Sequence, residues 1–143
     1  MILSISAAWS LCVRTEKAER GHDQHGRSQP DTVGEHPERE RPERYVPDVQ
    51  ISAGYMHSGY PIMTHLDAAP LSVDRQKLVS TGSWGHFHEM GHNHQSGDWT
   101  FNGAGEVTVN LFSLYCIDRC CDFGVYGHGN VSPERRAEKT KGY

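Results

Sequence analysis

Residues 85–99 read GHFHEMGHNHQSGDW, and four of these positions are histidine. The fold turns on whether this stretch is a helix. If it is, His88 and His92 lie on one face about one turn apart. Two imidazole nitrogens placed so can each reach a zinc ion at about 2.0–2.1 Å. Glu89 leaves the helix at a different angle, too far round to ligate the same ion but within reach of a water beside it. That is the logic of the HExxH pattern. Ser83 is a suitable N-cap and predicts a helix from Trp84 to about His94. Gly91, inside that helix, costs about 1 kcal/mol against alanine, so its presence predicts close packing against a neighbouring element.

A hydrolytic zinc site needs three protein ligands and one open position. Glu106, fourteen residues after His92, is the candidate for the third. Placed in the first turn of a second helix packed on the first, it completes a His88, His92 and Glu106 set. The alternative is that Glu106 only favours a helix N-terminus electrostatically. His86 and His94 each stand two residues from a ligand, which on a helix is the wrong face. They read as groups around the site or at the surface. Asp98 and Asn110 are candidates to hydrogen-bond the imidazole N–H groups, a role that orients metal-binding histidines.

Outward from the motif, "EVTVNLFSLYCIDRCC" (106–121) is the longest apolar segment. Its length predicts a helix, with Glu106, Asn110 and Ser113 on a polar stripe and Val107, Leu111, Leu114 and Ile117 on an apolar one. Between the two helices, "QSGDWTFNGAG" reads as a glycine-rich loop, in which Asn102 or a nearby residue starts the second helix. Upstream, Val49, Ile51, Ala53 and Tyr55 alternate with polar residues, which predicts a half-buried strand over 48–55. "HSGYPI" follows as a turn with Gly59 and Pro61 as breakers, and a short helix is expected around Val73–Val79. At the other end, Ser132, Pro133 and Glu134 spell a helix start.

The 143 residues carry a net charge of −4 and a mean hydropathy of −0.66. One domain is the expectation. No basic patch suggests nucleic acid, and no run is long or apolar enough to span a bilayer as a helix. The polarity concentrates in residues 14–44, which hold charges, Pro and Gly and hardly an aliphatic side chain. Residues 1–44 therefore read as a poorly ordered N-terminal segment, and His22, His25 and His36 as solvated. Of four cysteines, Cys116, Cys120 and Cys121 cluster within six residues while Cys12 stands apart. The spacing is neither a disulfide framework nor a zinc knuckle, so core thiols are expected.

"WGHFHEMGHNHQ", then "WTFNGAGEVTVNLFSLY", preceded by "ISAGYMHSGYPIM", resembles the enhancin-like metallopeptidases, metallopeptidase family sixty. That family includes viral enhancins, mucin-degrading bacterial proteases and, as a branch, the TRP-channel-associated factors of animals. Its pattern is HExxH followed after a gap by a glutamate, and His88, Glu89, His92 and Glu106 match it. The likeness runs from about Arg41 to the C-terminus. It implies an α+β, zincin-like fold, with residues 45–143 a partial peptidase domain. It also implies one zinc ion on His88, His92 and Glu106, with Glu89 as general base. The substrate implied is a protein or glycoprotein, of mucin type, cleaved at peptide bonds, and the setting secreted or cell-surface. The strand over 48–55 would align extended substrate by main-chain hydrogen bonds, and Tyr126 or His128 would stabilise an oxyanion. The family's catalytic domain is longer than this chain, so a fragment is expected.

Two other readings stand beside this one. The chain is a non-catalytic interaction module or inactive fragment like the channel-associated branch, or its histidines bind metal only adventitiously. Asp98, Asn110 and His94 enter the first reading as groups around the metal or substrate.

Overall fold

The computed structural model describes residues 43–141. The N-terminal segment expected over 1–44 lies almost wholly outside the described residues. What is described is α+β. A small sheet of three strands, β1 (Tyr45–Asp48), β2 (Met56–His57) and β3 (Ile62–His65), has the order β1-β3-β2. β1 runs parallel to β3, with Tyr45 opposite Ile62, and β2 runs antiparallel to β3, with Met56 opposite Thr64. Pro47 is tolerated because β1 is an edge strand whose free side needs no ladder donor.

The strand expected over 48–55 is therefore corrected: it occupies 45–48 and stops where the expectation began. Asp48 ends it by turning its carboxylate back on the chain. Its Oδ1 accepts from the Val49 N–H at 2.6 Å and from the Gln50 N–H at 3.4 Å, an arrangement that favours a turn over a continued ladder. Val49 and Tyr55, which the alternation assigned to the buried face, are exposed. The "HSGYPI" turn is present and joins β2 to β3.

Past β3 the chain makes a 3₁₀ turn (Leu66–Ala68) and then two short helices, α1 (Ala69–Val73) and α2 (Arg75–Thr81). The single helix expected around Val73–Val79 is split by Asp74, whose side chain accepts from the Lys77 N–H at 2.9 Å and caps α2. α3 (Trp84–His92) is the motif helix. Ser83 caps it as expected, accepting from the His86 N–H, but it stops at His92, two residues early. Asn93 closes it. Its amide nitrogen donates to Glu43 Oε2 and to the Gly59 carbonyl, both at 3.0 Å, and its oxygen accepts from the Gly59 N–H. The far end of the motif helix is thereby tied to the β2–β3 turn.

The segment over 106–121 is helical, but in two pieces: α4 (Gly105–Thr108) and α5 (Asn110–Cys120), separated at Val109. Val109 is fully buried and pressed against α3. A Cβ added to Gly91 would lie 2.9 Å from Val109 Cγ2 and 2.8 Å from Phe112 Cβ. This is the close packing that Gly91 predicted, and it explains why the motif helix accepts a glycine at its centre. The apolar stripe is corrected by a rotation. Val107 and Leu111 are exposed, whereas Val109, Ser113, Cys116 and Ile117 face inward. Those four follow helical spacing as well as the expected set does, and Ser113 is accommodated by donating to the Trp84 carbonyl at 3.5 Å.

The core joins Tyr45 and Ile62 of the sheet, Leu78 of α2, Phe87 and Met90 of α3, and Cys116, Ile117 and Cys121. Cys116 and Cys121 are buried free thiols, as expected, and burial pushes the Cys121 thiol up to about 11, but Cys120 is disulfide-bonded, which corrects the expectation of a thiol there. The last described helix, α6 (Pro133–Thr140), starts on Ser132, which accepts from the Arg135 N–H. No helix among the described residues is long and apolar enough to cross a membrane.

Candidate metal centre

His88 and His92 leave α3 on one face. Their rings meet edge to face with centroids 4.7 Å apart, and their Nε2 atoms are 3.2 Å apart. Glu106 stands in the first turn of α4 and reaches both: Oε2 lies 3.1 Å from His88 Nε2 and Oε1 lies 3.4 Å from His92 Nε2. The imidazoles are half-buried, while the Glu106 side chain is 79% exposed. These three residues are brought together from two helices, with ligand atoms all within 4.8 Å of one another.

The hydrogen bonds behind the rings decide which nitrogens face inward. Asn110 Oδ1 accepts from the Trp84 indole N–H at 3.2 Å, and its amide nitrogen donates to the Glu106 carbonyl at 2.8 Å. An indole N–H only donates and a carbonyl only accepts, so the orientation of this amide is fixed. His88 Nδ1, 3.2 Å from the same Oδ1, must then carry the proton. Gln95 does the same for His92. Its amide nitrogen donates to the Gly105 carbonyl at 2.7 Å, and its oxygen accepts from His92 Nδ1–H at 2.8 Å. When neutral, both imidazoles are therefore Nδ1–H tautomers, and their Nε2 lone pairs then face each other and a carboxylate.

With both rings neutral, two Nε2 atoms and the two Glu106 oxygens face one another at 3.1–3.4 Å with no donor among them, and they repel. They ask for a cation. A tetrahedral ion with bonds of about 2.0–2.1 Å has neighbouring ligands roughly 3.3–3.4 Å apart; the two Nε2 atoms stand 3.2 Å apart, and each meets a different Glu106 oxygen at 3.1 or 3.4 Å. The donor set fits zinc.

The remaining expected site residues divide. Asn110 meets an imidazole, as anticipated. Asp98 does not: it is exposed in the loop, and its backbone N–H donates to Ser96 Oγ. Its anticipated place is taken by Gln95, which sequence reasoning passed over; its position three residues after His92 was the available signal. His94 turns from the cluster, its Nδ1 on the Met90 carbonyl at 2.7 Å and its ring against Phe112. Glu89 is half-buried beside His88 in sequence, and its carboxylate has no hydrogen-bond or ion-pair partner among the described residues. His128 lies against Trp84 and Phe123, and Tyr126 lies under the Arg136 guanidinium; neither hydrogen-bonds to the three converging groups.

His86 is corrected outright. It belongs to the core, almost wholly buried, with Nε2 2.9 Å from Ser72 Oγ and Nδ1 2.7 Å from Ser83 Oγ. The Tyr45 hydroxyl donates to its carbonyl at 2.6 Å. Burial lowers its pKa to about 4, so the ring is neutral and structural.

The fold and the cluster together define an α+β protein with a metal-type donor set built across two packed helices. The chain belongs to the family described as peptidase M60, enhancin and enhancin-like, whose model matches residues 7–143. The match thus begins well before Arg41, where the resemblance was expected to start. Among curated proteins the chain is similar to a TRPM8 channel-associated factor homolog of Danio rerio, 43% identical over 79% of this chain. It is also similar to TRPM8 channel-associated factor 2 of Bos taurus, 45% identical over 71% of this chain, and of Homo sapiens, 43% over 72%. The chain spans only 13%, 11% and 11% of the length of these relatives. No solved structure matches it.

Proposed function

We propose that this chain carries the metal centre of a zinc-dependent metallopeptidase, zincin-like in its core, with His88, His92 and Glu106 holding one zinc ion. The observation that carries this reading is the convergence of two imidazole Nε2 atoms and a carboxylate from two helices, with ligand atoms all within 4.8 Å of one another. Peptidases of this family are in general zinc-dependent. Zinc bound there would supply Lewis acidity toward a peptide carbonyl and bring the pKa of a water down to about 7. The chain's own residues do the rest. Asn110 and Gln95 keep the imidazoles pointed inward. Glu89, a half-buried carboxylate with no competing partner among the described residues, takes the proton of the attacking water and passes it to the leaving amine. The exposure of Glu106 leaves one side of the cluster open to a protein or glycoprotein substrate, with mucin-type glycoproteins the class that family likeness favours.

A Glu89→Gln variant is expected to bind one equivalent of zinc and to lose hydrolysis of a mucin-type glycoprotein by at least about a hundredfold. Full activity in that variant would remove Glu89 as the base. A second reading rests on the relatives, which are named for association with a channel: an interaction module whose metal centre is structural. It predicts zinc binding without hydrolysis even in the unaltered chain.

A further inference from the structure

Two amides outside the proposed ligand set are used in the same way. Gln95 puts its oxygen on His92 Nδ1 and its nitrogen on the Gly105 carbonyl; Asn110 puts its oxygen on His88 Nδ1 and its nitrogen on the Glu106 carbonyl. The two carbonyls are consecutive and flank the α-carbon of Glu106. Each amide therefore does two jobs: it fixes the tautomer of one imidazole, and it ties that imidazole to the backbone that carries the carboxylate. Each has one further anchor. The second N–H of Gln95 donates to Thr108 Oγ1 at 2.7 Å, and the second lone pair of Asn110 Oδ1 accepts from Trp84.

We propose that Gln95 and Asn110 are a matched pair of positioning residues that assemble the three-ligand cluster in the metal-free protein, ahead of the ion. This rests on the metallopeptidase reading for its purpose but not for its test. The physical reason is entropic and electrostatic. A histidine side chain free in water favours the proton on Nε2, which would turn an N–H into the cluster. Glu106 is exposed on a four-residue helix that Val109 anchors to α3 at its C-terminal end, and the two amides hold the backbone on either side of Glu106 itself. An amide bridges both defects because it alone offers an acceptor to the ring and a donor to a carbonyl from one rigid plane. Serine or aspartate at either place would do only half of this.

The test uses the full chain, stripped of metal and labelled with ¹⁵N at histidine, above the ordinary imidazole titration range. Ring ¹⁵N shifts should report Nδ1–H for both His88 and His92. Gln95→Met should return His92 alone to the Nε2–H form, and Asn110→Leu should do so for His88 alone. Gln95→Glu and Asn110→Asp keep the acceptor and should keep the tautomer, which separates positioning from general disruption. Zinc affinity, measured by competition with a chromophoric chelator, should fall about 10–100-fold in the Met and Leu variants, with helix content by circular dichroism unchanged. Nε2–H rings in the unaltered metal-free chain would overturn the proposal, and so would unchanged tautomers in Gln95→Met and Asn110→Leu. If those variants lose helix content, the Glu and Asp variants decide: a lost tautomer in either overturns it as well. A chain with the expected tautomers but no zinc affinity would instead sink the metallopeptidase reading and leave the amide pair standing.

Discussion

His86 and His88 sit two residues apart on one helix and have opposite fates. Around His86, both ring nitrogens meet serine hydroxyls, Ser83 at Nδ1 and Ser72 at Nε2. Ser72 also donates to the Ala68 carbonyl at 3.2 Å, so its oxygen accepts from Nε2–H while Ser83 donates to Nδ1. Every polar atom is matched to its opposite, and the ring is sealed. Around His88, Nδ1 is matched by Asn110, but Nε2 faces only other acceptors. The difference teaches that a histidine's role is set less by exposure or motif than by whether its second nitrogen is offered a donor, an acceptor or nothing. A saturated ring holds the fold together; a ring confronted by like groups awaits a cation.

The largest test exchanges the two. His86→Leu leaves the half-buried Ser83 hydroxyl and the buried Ser72 hydroxyl without their ring partner and should cost about 2–4 kcal/mol of unfolding free energy in urea. His88→Ala should cost about 1 kcal/mol or less in metal-free protein, because the ring is half-buried at a surface of mutually repelling groups, yet it should abolish stoichiometric zinc. If metal-free His88→Ala unfolds as readily as His86→Leu, the two environments are not different in kind.

Acid sharpens the same contrast. The pKa of His86 in the folded chain, about 4, lies below its ordinary value of 6.5. Between those values the unfolded chain binds a proton that the folded chain refuses, so stability falls as pH drops through this window and is fully recovered above it. The shift corresponds to about 3 kcal/mol. His128, also lowered by burial, contributes a slope of the same sign, so the quantity to read is the difference between parent and His86→Leu, in chelator. An identical slope in both would show that His86 is not the sealed ring described.

The legible and illegible parts of the molecule follow the same line. Local patterns were readable: the Ser83 and Ser132 caps, the i, i+4 histidines and the need for a neighbour at Gly91 are stated by residues within one turn of each other. What failed needed information from elsewhere in the chain. Alternation placed the strand over 48–55, but Asp48 bonded its own following backbone and the pairing partner, β3, lay alongside 45–48 instead. Val107 and Leu111 looked like core, but the contact with α3 is made by Val109 and Phe112, and a rotation of one helical stripe into its neighbour cannot be seen without the partner helix. His86 fitted the wrong-face argument, yet that face is the one turned to Ser72 and Tyr45.

The smallest expected effect concerns Asp98. A carboxylate six residues after a proposed metal-ligating histidine is a reasonable partner for an imidazole N–H, and stronger than an amide. Here it is out in the loop, and Gln95 holds the position. Asp98→Ala should change zinc affinity by less than about twofold, measured in the same chelator competition in which Gln95→Met loses at least about tenfold. The reason for an amide in place of a carboxylate lies in the geometry. A carboxylate at 95 would accept from His92 but face the Gly105 carbonyl with a second acceptor, and it would add another negative charge beside Glu106. An amide presents a donor there instead and leaves the charge of the cluster to the ligands. A loss in Asp98→Ala comparable to that in Gln95→Met would mean that the loop closes onto the imidazoles and that the amide is not their resident partner.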